Sequence, residues 1–369
     1  MRVIILGTRG FPHVQGGVEK HSEQLSINLV RIGCDVIVFR RRPYVDPSLK
    51  EYQGVQLVTL PAVKSRALET ILHTFIGVFA AIKYKPDVLH FQAIGSALFI
   101  PLSRMLGFRV VLTTHGSNYQ HQKWGRIAKS VFKVSEYLGM KFAHQVIAIS
   151  KTIADEMEAK YKRRPVVIPN GVEPVQIRET EEALQKYGLE KGKYIITVGR
   201  FVKGKGFEDL IEAYKKVHGL SLTAHKLVIV GDADHEDDYS RGLKKNAQEN
   251  ENIVLTGFLT GQSLQELYSH AGLFVLPSYY EGLPIVLLEA MSYELSCIVS
   301  DIPANKEVDL SEDRYFKPGD INGMADKISE YMKRPLDDKQ RTKQISYIRE
   351  NFDWQKIANR TIEVYESLK

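Results

Sequence analysis

Short runs of β-branched and aliphatic residues alternate with longer amphipathic stretches from one end of this chain to the other. Such a pattern fits a parallel sheet wound by crossover helices, so an α/β fold is expected throughout. Strands are expected near residues 3–7, 35–39, 55–60, 88–91, 109–114 and 145–149, with a further extended segment at 166–169. Asn170-Gly171, followed by Glu173-Pro174, is turn chemistry at the point where one doubly wound unit is complete. The pattern then restarts, with strands near 194–199, 226–231, 253–257, 273–276 and 297–300. Two domains are expected, 1–170 and 171–352, which suits a chain of 369 residues, too long for one comfortable α/β core. Beyond them, Trp354, Ile357, Ala358, Ile362, Tyr365 and Leu368 form a helical stripe in segment 353–369 that needs a partner surface, and the first domain is one candidate.

Composition excludes several classes. Apolar residues at 44% and charged residues at 25% support neither disorder nor a fibrous architecture. The most apolar stretch, residues 71–82 (ILHTFIGVFAAI), is broken by His73 and Thr74 and is too short to span a bilayer. The N-terminal apolar run ends at Gly7, without the length or cleavage site of a secretory signal, so a cytoplasmic protein is expected. Cys34 and Cys297 are the two cysteines, both in apolar runs, which argues for buried free thiols rather than a disulfide framework or a cysteine zinc site. The net charge of +6 hides an asymmetry: residues 1–165 carry 24 Lys and Arg against 11 Asp and Glu, and the remainder carries 26 against 33. The basic front half suits nucleic acid, an anionic membrane or a phosphorylated substrate, and charge alone does not choose among them.

The motifs narrow the choice. After the first strand comes Gly7-Thr8-Arg9-Gly10, and then Gly16-Gly17 opens a long helix, a place where backbone N–H groups and the positive helix end can approach a phosphate. No G-x-G-x-x-G stands there, so a dehydrogenase loses its main support. In the second half, Gly199-Arg200-Phe201-Val202-Lys203-Gly204-Lys205-Gly206 sets two cations among glycines after a strand; Arg200 as a planar fork and Lys205 as a point charge suit a diphosphate and could replace a metal ion. Glu281-Gly282-Leu283-Pro284-Ile285 leads into a helix that carries Glu289. Two glutamates eight apart occur about twice by chance in a chain with 27 of them, so context supplies the specificity. Pro284 fits the first helical turn, leaving N–H groups of Leu283, Ile285 and Val286 to face an anion. Glu281 and Glu289 are then placed to reach a transferred sugar and a ribose.

Thr113-Thr114-His115-Gly116 sets a histidine at a strand's carboxyl end, where open α/β sheets bind ligands. Beyond it lie Asn118, Tyr119, Lys123 and Trp124, candidates for the acceptor side. The helix after them, RIAKSVFKVSEYLGMKFAH, mixes cations with apolar residues and suits a membrane, a lipid-linked acceptor or, more commonly, a solvated face over a core stripe. Asp232, Asp234, His235, Glu236, Asp237 and Asp238 crowd one loop that reads as a solvated acidic turn rather than a metal site. Neither a nucleophile elbow nor a P-loop is present.

Together these residues resemble the family 4 glycosyltransferases across essentially the whole chain. The E-x7-E element is matched by Glu281 and Glu289 within EGLPIVLLEA, and the donor cations by Arg200 and Lys205. The opening GTRGFPHVQGGVE and the HG…KWG segment look like a bacterial subgroup that includes rhamnosyltransferases of surface polysaccharide assembly. The resemblance implies the GT-B architecture, two Rossmann-like domains with parallel sheets facing across a cleft, and transfer from a nucleotide-diphospho-sugar to a glycan or lipid-linked acceptor. It implies retention of configuration, no cofactor and no required metal. Glu281 would contact the sugar, Glu289 the ribose, and Gly16-Gly17 the region near the phosphates. His115 would line the sugar site, and the main chain at Phe258 and Leu259 would meet the base. Gly231-Asp232-Ala233-Asp234 departs from the usual Gly-Asp-Gly-Pro. An anionic membrane surface is an expected partner; nucleic acid is not. Two alternatives stay open: a sugar-nucleotide 2-epimerase on the same architecture, and a non-catalytic nucleotide- or glycan-binding protein, against which the intact Glu281, Arg200 and Lys205 argue.

Overall fold

The structure is a computed structural model that describes residues 1–63, 69–116, 125–173, 175–218 and 225–368. The chain divides into two compact units, Met1–Gly171 with Trp354–Lys369, and Val172–Asp353.

The first unit holds strands β1 (Arg2–Leu6), β2 (Asp35–Arg41), β3 (Glu51–Tyr52), β4 (Val55–Leu60), β5 (Val88–Gln92), β6 (Val110–Thr114), β7 (Gln145–Ala148) and β8 (Val166–Val167). They form one sheet in the order β3-β4-β2-β1-β5-β6-β7-β8. Every pairing is parallel except β3 with β4. That short antiparallel ribbon, not expected from the sequence, closes through Gln53 and Gly54, both at positive φ (48° and 80°), the twist a two-residue hairpin prefers.

The second unit holds β9 (Tyr194–Val198), β10 (Lys226–Val230), β11 (Ile253–Gly257), β12 (Leu273–Leu276), β13 (Cys297–Ser300) and β14 (Tyr315–Phe316). Their order is β11-β10-β9-β12-β13-β14, all parallel. In each sheet the winding reverses at its first long strand, between β1 and β5 and between β9 and β12. Crossover helices leave such a switch point toward opposite faces, and the loops at the strands' carboxyl ends part to leave a crevice.

Both sheets are covered on both faces, which explains their apolar strands. On one face of the first, Val3, Ile5, Val36 and Val38 pack with Leu25 and Leu29 of the helix Gly17–Arg31. The same core takes in Trp354, Ile357, Ala358, Val364 and Tyr365 from the last helix, Trp354–Glu366, so the tail's apolar stripe is buried in the first unit. On the other face Gly77 of the helix Glu69–Tyr84 lies against Phe39, Leu6 and Leu60, and Gly139 of the helix Arg126–Phe142 lies against Leu112 and Ala97. In the second unit, Ile195, Leu227, Ile229 and Val275 pack with Leu210, Ile211 and Tyr214 of the helix Phe207–His218 and with Met324, Ile328 and Tyr331 of the helix Ile321–Lys333. Cys34 and Cys297 are buried and unbridged. Among the described residues no helix is long and apolar enough to cross a membrane.

Because Trp354 is 2% exposed in the first unit's core, Trp354→Ala is expected to cost about 3–5 kcal/mol. Urea denaturation followed by far-ultraviolet circular dichroism measures it; an unchanged midpoint would remove the tail from the core.

Candidate functional site

In the second unit, the loops leaving β9 and β12 are clamped together. Tyr279 of the β12 loop donates its N–H to Gly204 O of the β9 loop (2.8 Å), while Gly199 donates to Val230 O (2.9 Å) and Phe201 to Asp232 O (3.0 Å), which tie the β9 exit to β10 on its other side. Gly206 sits at φ 70°, and a Cβ there would lie 2.2 Å from the carbonyl oxygen of Pro277. Only glycine allows that approach and that backbone conformation together. The clamp brings Lys205 to Glu281: Nζ donates to Oε1 at 2.6 Å. Ser278 Oγ donates to the same oxygen, also at 2.6 Å. Both charged side chains are largely but not fully sheltered, at 21% and 11% exposure, so the pair faces water on one side.

Glu281 leads into the helix Ile285–Ser292, with Pro284 as its N-cap. The sequence places Pro284 inside the first turn; the structure sets it one position earlier, with ψ 106°. The ring fixes φ near its native −75° while ψ stays extended, as an N-cap requires. Its carbonyl accepts from Leu287 at 3.1 Å and Leu288 at 3.4 Å, so the N–H groups of Ile285 and Val286 precede the first intrahelical bond. Those two donors and the positive end of the helix form the anion-facing feature expected here. Glu289, farther along, is half-buried, and its Oε2 accepts from Tyr268 OH at 3.4 Å. Burial first, then the neighbouring Glu289 carboxylate, pushes the Tyr268 hydroxyl well above its ordinary range.

Arg200, the other cation expected to meet a diphosphate, has a carboxylate partner of its own. Its guanidinium donates to Asp234 Oδ2 at 2.9 Å, because β10 delivers the acidic loop beside the β9 exit. That loop is not simply solvated: Lys244 lies 2.9 Å from Asp232 and 3.2 Å from Glu236, and Asp237 caps the helix Asp238–Gln248 by accepting from Ser240 N. Among the described residues no group of three or more His, Cys, Asp or Glu has metal-holding geometry. Phe258 and Leu259 follow β11, with Phe258 exposed. Arg200, Lys205, Asp234, Phe258, Leu259 and Glu281 all lie in the loops that follow the carboxyl ends of β9 to β12.

In the first unit, Gly16 is the N-cap of the helix Gly17–Arg31. Its φ is 147°, and a Cβ would come 2.2 Å from Glu19 Oε2. Glu19 Oε1 accepts from the Arg9 backbone N–H at 3.3 Å and from Arg9 Nε at 3.1 Å, and the Arg9 guanidinium also donates to Gln15 O. A buried ion pair therefore shapes the glycine loop, which is a structural reason for Gly16 beside the phosphate one. Nothing lies within 4 Å of the Cβ position of Gly17.

His115, at the end of β6, donates from Nε2 to Gln92 Oε1 at 2.9 Å when Nδ1 is left as the acceptor. Behind Gln92 stands His90, fully buried, with Nε2 2.7 Å from Thr113 Oγ1 and Nδ1 2.7 Å from Tyr365 OH. His21 packs its ring edge-on to His115 at 4.8 Å and to Trp354 at 5.4 Å, and its Nδ1 lies 2.9 Å from Asn170 Oδ1. Burial drives His21 down to about 4 and His90 to about 3; it drives His115 well below its ordinary value, with His21 and His90 adding to the effect. His115 is thus a neutral imidazole at neutral pH. Gln92, His90, His21 and the Arg9–Glu19 pair were missed from sequence, although His21, four residues before Leu25, shares the helix's buried face. Asn118, Tyr119, Lys123 and Trp124 lie outside the described residues.

Comparison with known proteins places this geometry. The model for Glycosyltransferase Family 4 matches residues 15–176 and that for Glycosyl transferases group 1 matches residues 179–351. The chain belongs to glycosyltransferase family 4. It is 27% identical to an uncharacterized glycosyltransferase of Methanocaldococcus jannaschii, over 96% of this chain and 95% of that one. It is 26% identical to the putative teichuronic acid biosynthesis glycosyltransferase TuaC of Bacillus subtilis, over 67% of this chain and 61% of TuaC. Its fold matches that of Anabaena HepE in complex with UDP and glucose, with a TM-score of 0.80 at 18% identity, over the whole of both chains. The α/β expectation and the GT-B fold stand for this glycosyltransferase.

The buried histidines are expected to weaken the fold in acid. His73, like His90, is pushed by burial to about 3, and His21 to about 4. As pH falls below about 6.5 the unfolded chain takes up protons that the folded one refuses, so stability is full above that pH and declines down to the folded values. The expected slope is about 1.4 kcal/mol per pH unit for each histidine. Urea unfolding at neutral and mildly acidic pH measures it; a flat profile would contradict the burial of these neutral rings.

Proposed function

We propose that this family 4 enzyme moves a sugar from a nucleotide-diphospho-sugar to a glycan or lipid-linked acceptor, with retention of configuration, in the assembly of a cell-surface polysaccharide. The observation that carries the reading is the clamp at the β9 and β12 exits, where Lys205, Glu281 and the N–H groups of Ile285 and Val286 lie on neighbouring loops. A cation, a carboxylate and a helix N-terminus together suit a diphosphate joined to a sugar. That HepE is described with UDP and glucose supports the donor class, and TuaC supports the polysaccharide setting. The opening GTRGFPHVQGGVE favours the rhamnosyltransferase-like subgroup.

In the proposed reaction the bond from the anomeric carbon to the diphosphate oxygen breaks, and the bond to the acceptor oxygen forms on the same face. The acceptor's proton passes to the departing phosphate oxygen. Charge grows on the diphosphate as it leaves, and Lys205, Arg200 and the helix N-terminus stabilise that charge more in the transition state than before it. Two cations and two backbone donors serve where a metal ion otherwise would, so the proposal requires no cofactor. Glu281 and Gly282 hold the sugar, with Leu283, Pro284 and Ile285 lining the phosphate side. Glu289 takes the ribose, and the main chain at Phe258 and Leu259 takes the base. The resemblance assigns neutral His115 to the sugar and Gly16-Gly17 to the phosphates.

Thermal melting in EDTA with UDP, GDP, ADP and dTDP tests the donor class. One base is expected to stabilise the chain, by about 2.7 kcal/mol at a hundred times its dissociation constant; no shift with any of the four counts against the reading. Lys205→Ala and Glu281→Ala are each expected to lower turnover about 100-fold or more with unchanged circular dichroism. Wild-type rates in either variant would remove these residues from the reaction.

A further inference from the structure

β5 is buried along its whole length, yet it carries His90 and Gln92. Its register with β6 sets Gln92 beside Thr113 and His90 beside Val111, and alternation puts His90, Gln92, Thr113 and His115 on one face of the sheet. The last helix packs on that face and brings Tyr365 to it. Polar groups in such a place are costly unless they bond to one another. They do so in a single line. Tyr365 OH lies 2.7 Å from His90 Nδ1 and Thr113 Oγ1 2.7 Å from His90 Nε2; Gln92 Nε2 lies 3.4 Å from that same nitrogen, and Gln92 Oε1 2.9 Å from His115 Nε2. Tyr365, His90, Thr113 and Gln92 are shut off from water, whereas His115, at the end of the line, is half-buried.

The order of donors and acceptors is constrained at Gln92, whose amide accepts at one end and donates at the other. Its N–H end faces His90 Nε2, which therefore takes protons from Gln92 and from the Thr113 hydroxyl. Burial keeps His90 neutral, so its own proton is on Nδ1 and is donated to the Tyr365 oxygen. Gln92 is left with a carbonyl oxygen toward His115, and such an oxygen only accepts. Nε2 of His115 must then carry the proton. Burial holds His115 neutral as well, so it has one N–H, and Nδ1 is a bare acceptor. Among the described residues nothing bonds to that nitrogen, and His21, packed edge-on at 4.8 Å, braces the ring from the side.

We infer that Gln92 is the positioning residue of His115, fixing the imidazole as the Nε2–H tautomer so that Nδ1 accepts a hydrogen bond from a ligand hydroxyl. That a sugar supplies the hydroxyl rests on the function proposed above; the tautomer does not. The tautomer bears on specificity, because an acceptor in a sheltered place selects for a group with a proton to give. A sugar that offers an ether or carbonyl oxygen there, or no oxygen, leaves Nδ1 unpaired and is disfavoured.

Long-range proton–nitrogen NMR of the histidine rings, on the isotope-labelled full chain at neutral pH, reads the tautomer, and His115→Ala identifies the His115 signals. The wild type is expected to show His115 protonated on Nε2, with that proton protected from exchange. Gln92→Leu removes the acceptor and is expected to lose the protected proton with unchanged circular dichroism, while Gln92→Glu, which still presents an oxygen, keeps it. His115 protonated on Nδ1 in the wild type overturns the inference whatever the variants do, and so does a Gln92→Leu spectrum with unchanged His115 signals. In turnover of a nucleotide sugar, Gln92→Leu is expected to lower kcat/KM about tenfold and Gln92→Glu by less; a wild-type value in Gln92→Leu also counts against the role. If no nucleotide sugar is turned over, the functional reading fails and the tautomer alone decides.

Discussion

The contact between Lys205 and Glu281 depends on a backbone constraint more than on its own energy. A largely sheltered ion pair loses as desolvation much of what it gains as attraction, so it adds little net to folding. What places it is the approach of Gly206 to Pro277 O, which no residue with a Cβ could make. That approach follows from the sheet order, because β9 and β12 are neighbours at the reversal of winding and their exit loops have nowhere else to go. Strand order therefore fixes the loops, the loops fix the pair, and the pair sits beside the N-terminus of the helix Ile285–Ser292.

The first unit uses a different device at the equivalent sheet edge. His115 is held through Gln92 to His90, and His90 reaches Tyr365 on the last helix. His21 joins the ring of His115 to Asn170 and Trp354, the residues just before the chain leaves this unit and just after it returns. The tail helix is thus part of the histidine's support, as well as of the hydrophobic core. Burial keeps these rings neutral, which suits hydrogen bonding to a polar, uncharged ligand and makes the unit sensitive to acid.

Much of this was legible in the residues, for identifiable reasons. Strands such as β1, β10 and β12 carry continuous apolar runs because both faces are covered, and such runs announce themselves. The two-residue strands β3 and β14 carry no periodicity and were invisible. The donor loops were readable because glycine, lysine and proline have positional meaning there. Partnership across the sheet was not: Asp234 is 34 positions from Arg200, and nothing in a row of acidic residues says which of them holds a guanidinium. His90 and Gln92 sit in a buried strand, where a polar residue reveals neither its partner nor its direction. Pro284 shows the resolution of such reasoning, right in kind and displaced by one position.

A structure determined with a bound nucleoside diphosphate shows whether the β9 and β12 exits form the proposed donor-diphosphate site. The diphosphate is expected within hydrogen-bond distance of Lys205 Nζ and of the N–H groups of Ile285 and Val286. A nucleotide seated elsewhere, with Lys205 and Glu281 still bonded to each other and touching no part of it, would rule that site out.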